Sequence, residues 1–284
     1  MKPILVTHCG AGSTRRIQDA ANTALAAGLQ RLRGAGNALD AVERAIVSLE
    51  DDPKTNAGTG SRMRIDGSIQ MDAALMDSRR RAGAVAAISR VKNPIRVARR
   101  VMATPHLMLA GPWADRFARD QGFLEYDPST KQSRERLEEA LRDIRSGKAA
   151  KWRKWLPRGT DTVGAVARDS RGRYAAGSST GGVALMLPGR VGDSPVIGAG
   201  LYAGPRGAVT ATGIGEEIWR LVLSKYVYDR LEDCGAQRAC EDGLRLYPKR
   251  IPVGIIAVAA DGAGEACNRD MAWATSAVNR VGKH

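Results

Sequence analysis

Residues 3–8 (PILVTH) form a short apolar run that enters a glycine-rich turn, Cys9-Gly10-Ala11-Gly12, the pattern of a buried strand ending in a tight loop. The rhythm then becomes helical. Ile17, Ala21, Leu25, Leu29 and Leu32 share one face, Ser13 or Thr14 is placed to cap its start, and Gly34 and Gly36 stop it. Asn37 is placed to cap a second helix carrying Leu39, Val42, Ile46 and Leu49 on one side. After Asn56-Ala57-Gly58 the pattern predicts a hairpin turning at Asp66-Gly67, then a strand over 82–88. Asn93-Pro94 opens a third helix, and residues 106–122 predict a short strand and a helix. Residues 124–160 break the pattern: 133–145 can be helical but is dominated by charge, and 148–159 has no periodicity. Apolar alternation returns on both sides of Ser170-Arg171-Gly172, a hairpin signature. Ile218, Val222 and Tyr226 stripe a later helix, and residues 252–275 return to strands. This order predicts an α+β chain with two sheets covered by helices, and the basic segment reads as a linker inside one domain.

Composition narrows the chemistry. The chain has 284 residues, 43% hydrophobic and 26% charged, which excludes wholesale disorder. Aromatics are only 5% while glycine reaches 32 residues, so the core is expected to use small aliphatics at close backbone approach. No apolar stretch approaches the ~20 residues of a membrane helix, and the run after Met1 is too short for a signal peptide; a cytoplasmic protein is the expectation. There are three histidines, His8, His106 and His284, and four cysteines without a C-x-x-C pair. A histidine-based triad or a His-rich metal site is therefore poorly supplied, and an enzyme built on this chain would need another base. The cysteines are expected reduced and buried. Net charge is +14, and residues 131–160 hold ten Lys or Arg against four acids. Without a nucleic-acid-reading motif or interleaved aromatics beyond Trp152 and Trp155, a solvated surface is favoured over a nucleic-acid partner.

The segment 159–200, GTDTVGAVARDSRGRYAAGSSTGGVALMLPGRVGDSPVIGAG, carries most of the information. With ATGIGE at 211–216, HCGAG at 8–12, LEDDPKTNAG at 49–58, MDAALMD at 71–77 and VKNPI at 91–95, it resembles the plant-type asparaginase and isoaspartyl peptidase family of N-terminal-nucleophile hydrolases. The motifs occur in family order and cover most of the chain outside the basic linker, about 124–161.

The resemblance implies a four-layer αββα fold and a precursor that cuts itself between Asp161 and Thr162, giving fragments 1–161 and 162–284. Thr162 would then own a hydroxyl nucleophile and a free α-amine, whose reference pKa of ~7.7–8.0 leaves a usable unprotonated fraction near neutrality. That amine would supply the base the histidines do not. By the same resemblance, Thr180 steers the nucleophile's hydroxyl, and Asn56 lies beside it. Thr212 and Gly213 form an oxyanion hole at a helix N-terminus. Arg190 and Asp193 clamp the α-carboxylate and α-ammonium of an aspartyl unit, with Thr212, Gly213 and Gly215 lining the substrate. The loop from Leu49 to Thr55 matches one whose carbonyls hold a structural sodium, and a homodimer of processed protomers is implied. The implied substrates are L-asparagine and β-aspartyl dipeptides, with no cofactor in catalysis.

Three positions depart from the pattern. Cys9 replaces the usual glycine of H-G-G-A-G, Asp161 replaces a common glycine before the cut, and Gly204-Pro205-Arg206 replaces an Asn-containing loop. Asp–Thr also resembles the cut of glycosylasparaginases, whereas S-T-G-G at 179–182 resembles asparaginases. Aspartylglucosamine hydrolysis is the alternative of the same chemistry, and a nonprocessing relative that binds nucleic acid is the alternative of another class.

Overall fold

The computed structural model describes residues 1–33, 36–146 and 161–277. The chain runs β1 (Ile4–His8), a 3-10 turn (Arg15–Ile17), α1 (Gln18–Arg33), α2 (Ala38–Asp51), β2 (Met71–Asp77), β3 (Ala82–Ile88), α3 (Pro94–Val101), β4 (Met108–Ala110), α4 (Gly111–Asp120) and α5 (Lys131–Arg145). It continues through β5 (Val163–Arg168), β6 (Tyr174–Thr180), β7 (Leu201–Gly204), β8 (Gly207–Gly213), α6 (Gly215–Leu221), α7 (Leu223–Arg245), β9 (Val253–Ala259), β10 (Ala263–Cys267) and β11 (Trp273–Thr275). Among the described residues there are two sheets. Seven strands are ordered β11-β1-β5-β6-β2-β3-β4, and four are ordered β10-β9-β8-β7.

The five inner strands of the larger sheet, β1, β5, β6, β2 and β3, are buried along their whole length, which is what a sheet covered on both sides requires, whereas the edge strands β4 and β11 are partly exposed. Leu5, Leu75, Val85, Ala165 and Ala175 form one buried cluster with Leu39, Val42 and Ile46 of α2 and Ile95 and Val97 of α3. Their neighbours Ile4, Val6, Ala74, Met76, Val166 and Ala176 form a second with Leu201, Ala203, Ala208, Ile256 and Val258 of the smaller sheet. Val209, Ala211, Ile255 and Ala257 complete a third with Leu223, Val227 and Leu231 of α7. The scarcity of aromatics is met by close approach. A Cβ at Gly177 would lie 2.7 Å from both Ile46 Cδ1 and Val42 Cγ1, so α2 sits directly on β6.

Asn37 caps α2 as its position predicts: its side chain accepts from Leu39 N and Asp40 N, and Asp40 accepts from Asn37 N in return. Thr130 and Ser133 make the same reciprocal cap on α5. Other local expectations are corrected. Ser13 does not cap α1; its hydroxyl donates to Gly10 O (2.7 Å) and accepts from Ala272 N (3.0 Å), which ties the glycine-rich loop to the segment before β11. Thr14 makes no side-chain cap either, and the helix enters through the 3-10 turn. Asp66-Gly67 is a tight turn, with Arg64 N donating to Ser68 O, but its arms are not strands. The hairpin is β2–β3, whose connection is fixed by Asp77 Oδ1 accepting from Arg79 N and Arg81 N. The single late helix is broken twice: Val222 is left-handed (φ 48°) between α6 and α7, and Gly235 (φ 76°, ψ 172°) kinks α7 within its length. The predicted stops at Gly34 and Gly36 fall partly, and the aperiodic stretch 148–159 wholly, outside the described residues. The cysteines are free, but only Cys9 and Cys240 are fully buried, with Cys234 and Cys267 half-buried.

Candidate active site

The β5–β6 hairpin places Val163 opposite Ser179, so Thr162 and Thr180 meet at its open end. Their hydroxyls are 3.3 Å apart, Thr162 donating, and both residues are buried. Thr180 Oγ1 also accepts from Gly182 N at 3.0 Å, which orients its proton away from the incoming donor. Asn56 stitches a second loop to this one. Its Nδ2 donates to Gly182 O (2.6 Å), its carbonyl accepts from Gly181 N (2.8 Å), and its Oδ1 accepts from Arg62 N (2.9 Å). The Arg62 guanidinium reaches back to Asp161, the residue before Thr162, at 2.9 Å. Arg62 was not anticipated from sequence, since nothing in a lone arginine after N-A-G-x-G-S signals a partner ninety-nine residues away.

Asp72, at the start of β2, lies opposite Thr180 in register and leads to the second half of the site. Its carboxylate accepts from Ala87 N (2.7 Å) and Gly192 N (3.4 Å), although burial pushes its pKa up to about 6. Asp193 follows Gly192 directly and is fully enclosed. One carboxylate oxygen, Oδ2, has no hydrogen-bond partner, and burial pushes the group up to about 7 against the lowering charge of Arg190. The space around it depends on small residues: a Cβ at Gly215 would lie 2.8 Å from Asp193 Oδ1 and 2.9 Å from Arg190 Nη2.

Arg190 has a partner that the sequence reading did not name. Its fork is engaged by Glu216, Nε to Oε1 at 2.8 Å and Nη2 to Oε2 at 2.9 Å. Burial opposes ionisation of Glu216, but the hydrogen bonds and charge of Arg190 outweigh it and hold the carboxyl below its ordinary value. Glu216 thus fixes the orientation of the guanidinium and leaves Nη1 for another acceptor. The E of A-T-G-I-G-E was the sequence signal for it.

Thr212 is the penultimate residue of β8 and Gly213 its last, and the φ of 152° at Gly213 and its contact with Pro252 O leave no room for a side chain. The glycine-rich loop reaches this point, with Ala11 N donating to Thr212 Oγ1 at 3.3 Å. In the same loop, burial pushes the Cys9 thiol up to about 12, with Asp52, Asp161 and Asp19 adding to the effect, so no thiolate competes as nucleophile. His8 pairs with Gly164 across β1–β5, and its ring occupies the space a Gly164 side chain would need. Burial lowers His8 to about 3, with a weak opposing influence from the Thr162 backbone, and neither ring nitrogen has a well-formed hydrogen bond. It is a neutral packing residue. Behind the hairpin, Glu50 is buried at the end of α2, accepts from Ser179 Oγ (2.7 Å) and Ile95 N (3.0 Å), and is pushed by burial up to about 8.

The two threonines, Asn56, the Asp72–Asp193 pair with Arg190, and Thr212-Gly213 therefore converge on adjoining strand ends and their loops. A sequence profile of the family described as Asparaginase matches residues 1–283 of this chain. The chain belongs to that family. It is 43% identical over 277 residues to the plant-type L-asparaginase of Pyrococcus abyssi, covering 91% of this chain and 90% of that protein. It is 40% identical over 238 residues to the isoaspartyl peptidase/L-asparaginase of Rattus norvegicus, covering 81% and 71%. The human protein of that name is 41% identical over 241 residues, covering 82% and 78%. No helix among the described residues is long and apolar enough to cross a membrane.

Proposed function

We propose that this asparaginase-family chain is a self-processing threonine amidohydrolase that converts L-asparagine to aspartate and ammonia and cleaves β-aspartyl dipeptides. The observation that carries this is the Thr162–Thr180 hydroxyl pair beside Asp161, next to which His8, the neighbouring histidine among the described residues, is buried and has its basicity lowered by that burial. In the uncut chain Thr162 Oγ attacks the Asp161 carbonyl carbon, the Asp161–Thr162 C–N bond breaks as the acyl group passes from nitrogen to oxygen, and the hydroxyl proton goes to the freed amine; water then hydrolyses the ester to leave fragments 1–161 and 162–284. The freed α-amine of Thr162 then accepts the hydroxyl proton as Oγ attacks the side-chain amide carbon of the substrate. The tetrahedral oxygen is met by the Thr212 hydroxyl and Gly213 N–H. Collapse breaks the C–N bond, the amine returns the proton to the leaving nitrogen, and water hydrolyses the aspartyl ester.

Substrate orientation follows from charge. The unpartnered Asp193 oxygen suits an α-ammonium, and Arg190, braced by Glu216, offers Nη1 to the α-carboxylate. The three buried clusters support a four-layer αββα arrangement for the fold. A structural sodium fits the loop 49–55, where Pro53 O and Thr55 O converge to 2.5 Å and 2.9 Å from the place a Gly60 Cβ would take. Its role would be to hold that loop, which leads into Asn56. A cytoplasmic homodimer of processed protomers completes the reading. The test is ammonia release from L-asparagine by the wild type and by Thr162→Ala; equal rates would remove Thr162 from the chemistry.

A further inference from the structure

We propose that Arg62 is a specificity-determining residue that receives the α-carboxylate of the leaving amino acid when a β-aspartyl dipeptide is cleaved, and that Asp161 occupies its place in the uncut chain. The inference rests on the reading of Thr162 as the nucleophile. Its base must hand a proton to the leaving nitrogen, so the leaving group has to lie against the Thr162 amine. Before the cut, the group bonded to that same nitrogen is Asp161. The carboxylate of Asp161 therefore marks where a negative charge carried by a leaving amino acid can sit, and Arg62 holds it there at 2.9 Å. The reach is comparable: Asp161 extends from the amine by its carbonyl and a short side chain, whereas the leaving amino acid extends by a hydrogen bond and its own Cα.

Two further features bear on this. The pair is partly enclosed, with the Arg62 and Asp161 side chains 24% and 16% exposed, so its charges are less screened than those of a surface pair. The base of the arginine is also fixed independently of Asp161, because its backbone N–H is held by Asn56 Oδ1, which in turn is stitched to the loop after Thr180. Cutting the chain gives Asp161 a free end and leaves Arg62 anchored. Among the described residues Asp161 is the carboxylate within ion-pair distance of Arg62. Ammonia carries no charge to meet the guanidinium, so the residue would discriminate between leaving groups rather than serve all of them.

The test compares a β-aspartyl dipeptide, β-Asp-Leu, with its C-terminal amide, using the fully processed protein. For the wild type the free carboxylate should give about tenfold or greater kcat/KM, expressed mainly in KM, as expected for a charge-assisted contact. Arg62→Met should bring that ratio close to one, and Arg62→Lys should keep part of it. A wild-type ratio near one, or a ratio that Arg62→Met leaves unchanged, overturns the proposal. The wild-type comparison stands even if Arg62→Met processes poorly. If the wild type hydrolyses neither L-asparagine nor either dipeptide, the functional reading itself has failed, which is a different result.

Discussion

Asp193→Asn tests the substrate clamp through its dependence on pH. Burial holds the Asp193 pKa at about 7, so in the free protein roughly half the molecules carry the charge at neutrality and about a tenth at pH 6. Only the ionised form can pair with an α-ammonium through its open Oδ2. The Thr162 amine, expected near ~7.7–8.0, must also be unprotonated to act as base. Two deprotonations therefore govern the acidic limb of kcat/KM for L-asparagine, which should steepen toward a hundredfold per pH unit below pH 6.5. The asparagine variant removes one of them, and its limb should flatten toward tenfold per unit. At pH 8, where the wild type is ionised, the variant loses a charge-assisted hydrogen bond worth ~1.5–3 kcal/mol, or roughly 10- to 150-fold in kcat/KM. The assay is ammonia release from pH 5.5 to 9 at fixed ionic strength. Identical slopes for the two proteins, or a variant of undiminished activity at pH 8, would refute the assignment of Asp193.

Two other perturbations read different parts of the structure. Gly215→Ala would push a methyl group against Asp193 Oδ1 and Arg190 Nη2, at 2.8 Å and 2.9 Å, so KM for asparagine should rise ~10-fold or more while thermal stability changes little; an unchanged KM would show that the clamp lies elsewhere. Glu50 has a folded pKa of about 8, above its unfolded value, so the folded state binds the extra proton and stability falls as pH rises from about 4.5 to 8. Glu50→Gln should reduce that slope, on the order of 1 kcal/mol per pH unit, in denaturant unfolding between pH 5 and 8; an unaltered slope would contradict the buried-carboxyl account.

The helical stripes of α1 and α2, the Asn37 cap and the β5–β6 hairpin were legible because each depends on residues close in sequence. So was the adjacency of Thr162 and Thr180, since a hairpin of this length leaves its two ends side by side. What escaped was decided by distant partners. Ser13 has the composition of a cap, yet its hydroxyl bonds Ala272 N instead. The D-G turn at 66–67 forms, but the residues before it are drawn off, Arg62 to Asn56 and Asp161 and the backbone of Met63 and Ile65 to Leu185 and Met186, and never pair as strands. Val222 fits the apolar stripe by period, and only its left-handed backbone separates α6 from α7. In the site, the sequence brought Arg190 and Asp193 together as opposite charges three residues apart. It could not reveal that Glu216 engages the arginine, or that burial rather than pairing governs the aspartate.

The central claim is that Asp161–Thr162 is the bond this protein cuts to create its own nucleophile. Intact mass of the purified protein over a timed incubation, with N-terminal sequencing of each fragment, tests it directly. The account predicts fragments 1–161 and 162–284, a second chain beginning at Thr162, and ammonia-releasing activity that rises in step with their appearance. An active preparation that stays one uncut chain, or whose second chain begins at any other residue, would contradict it.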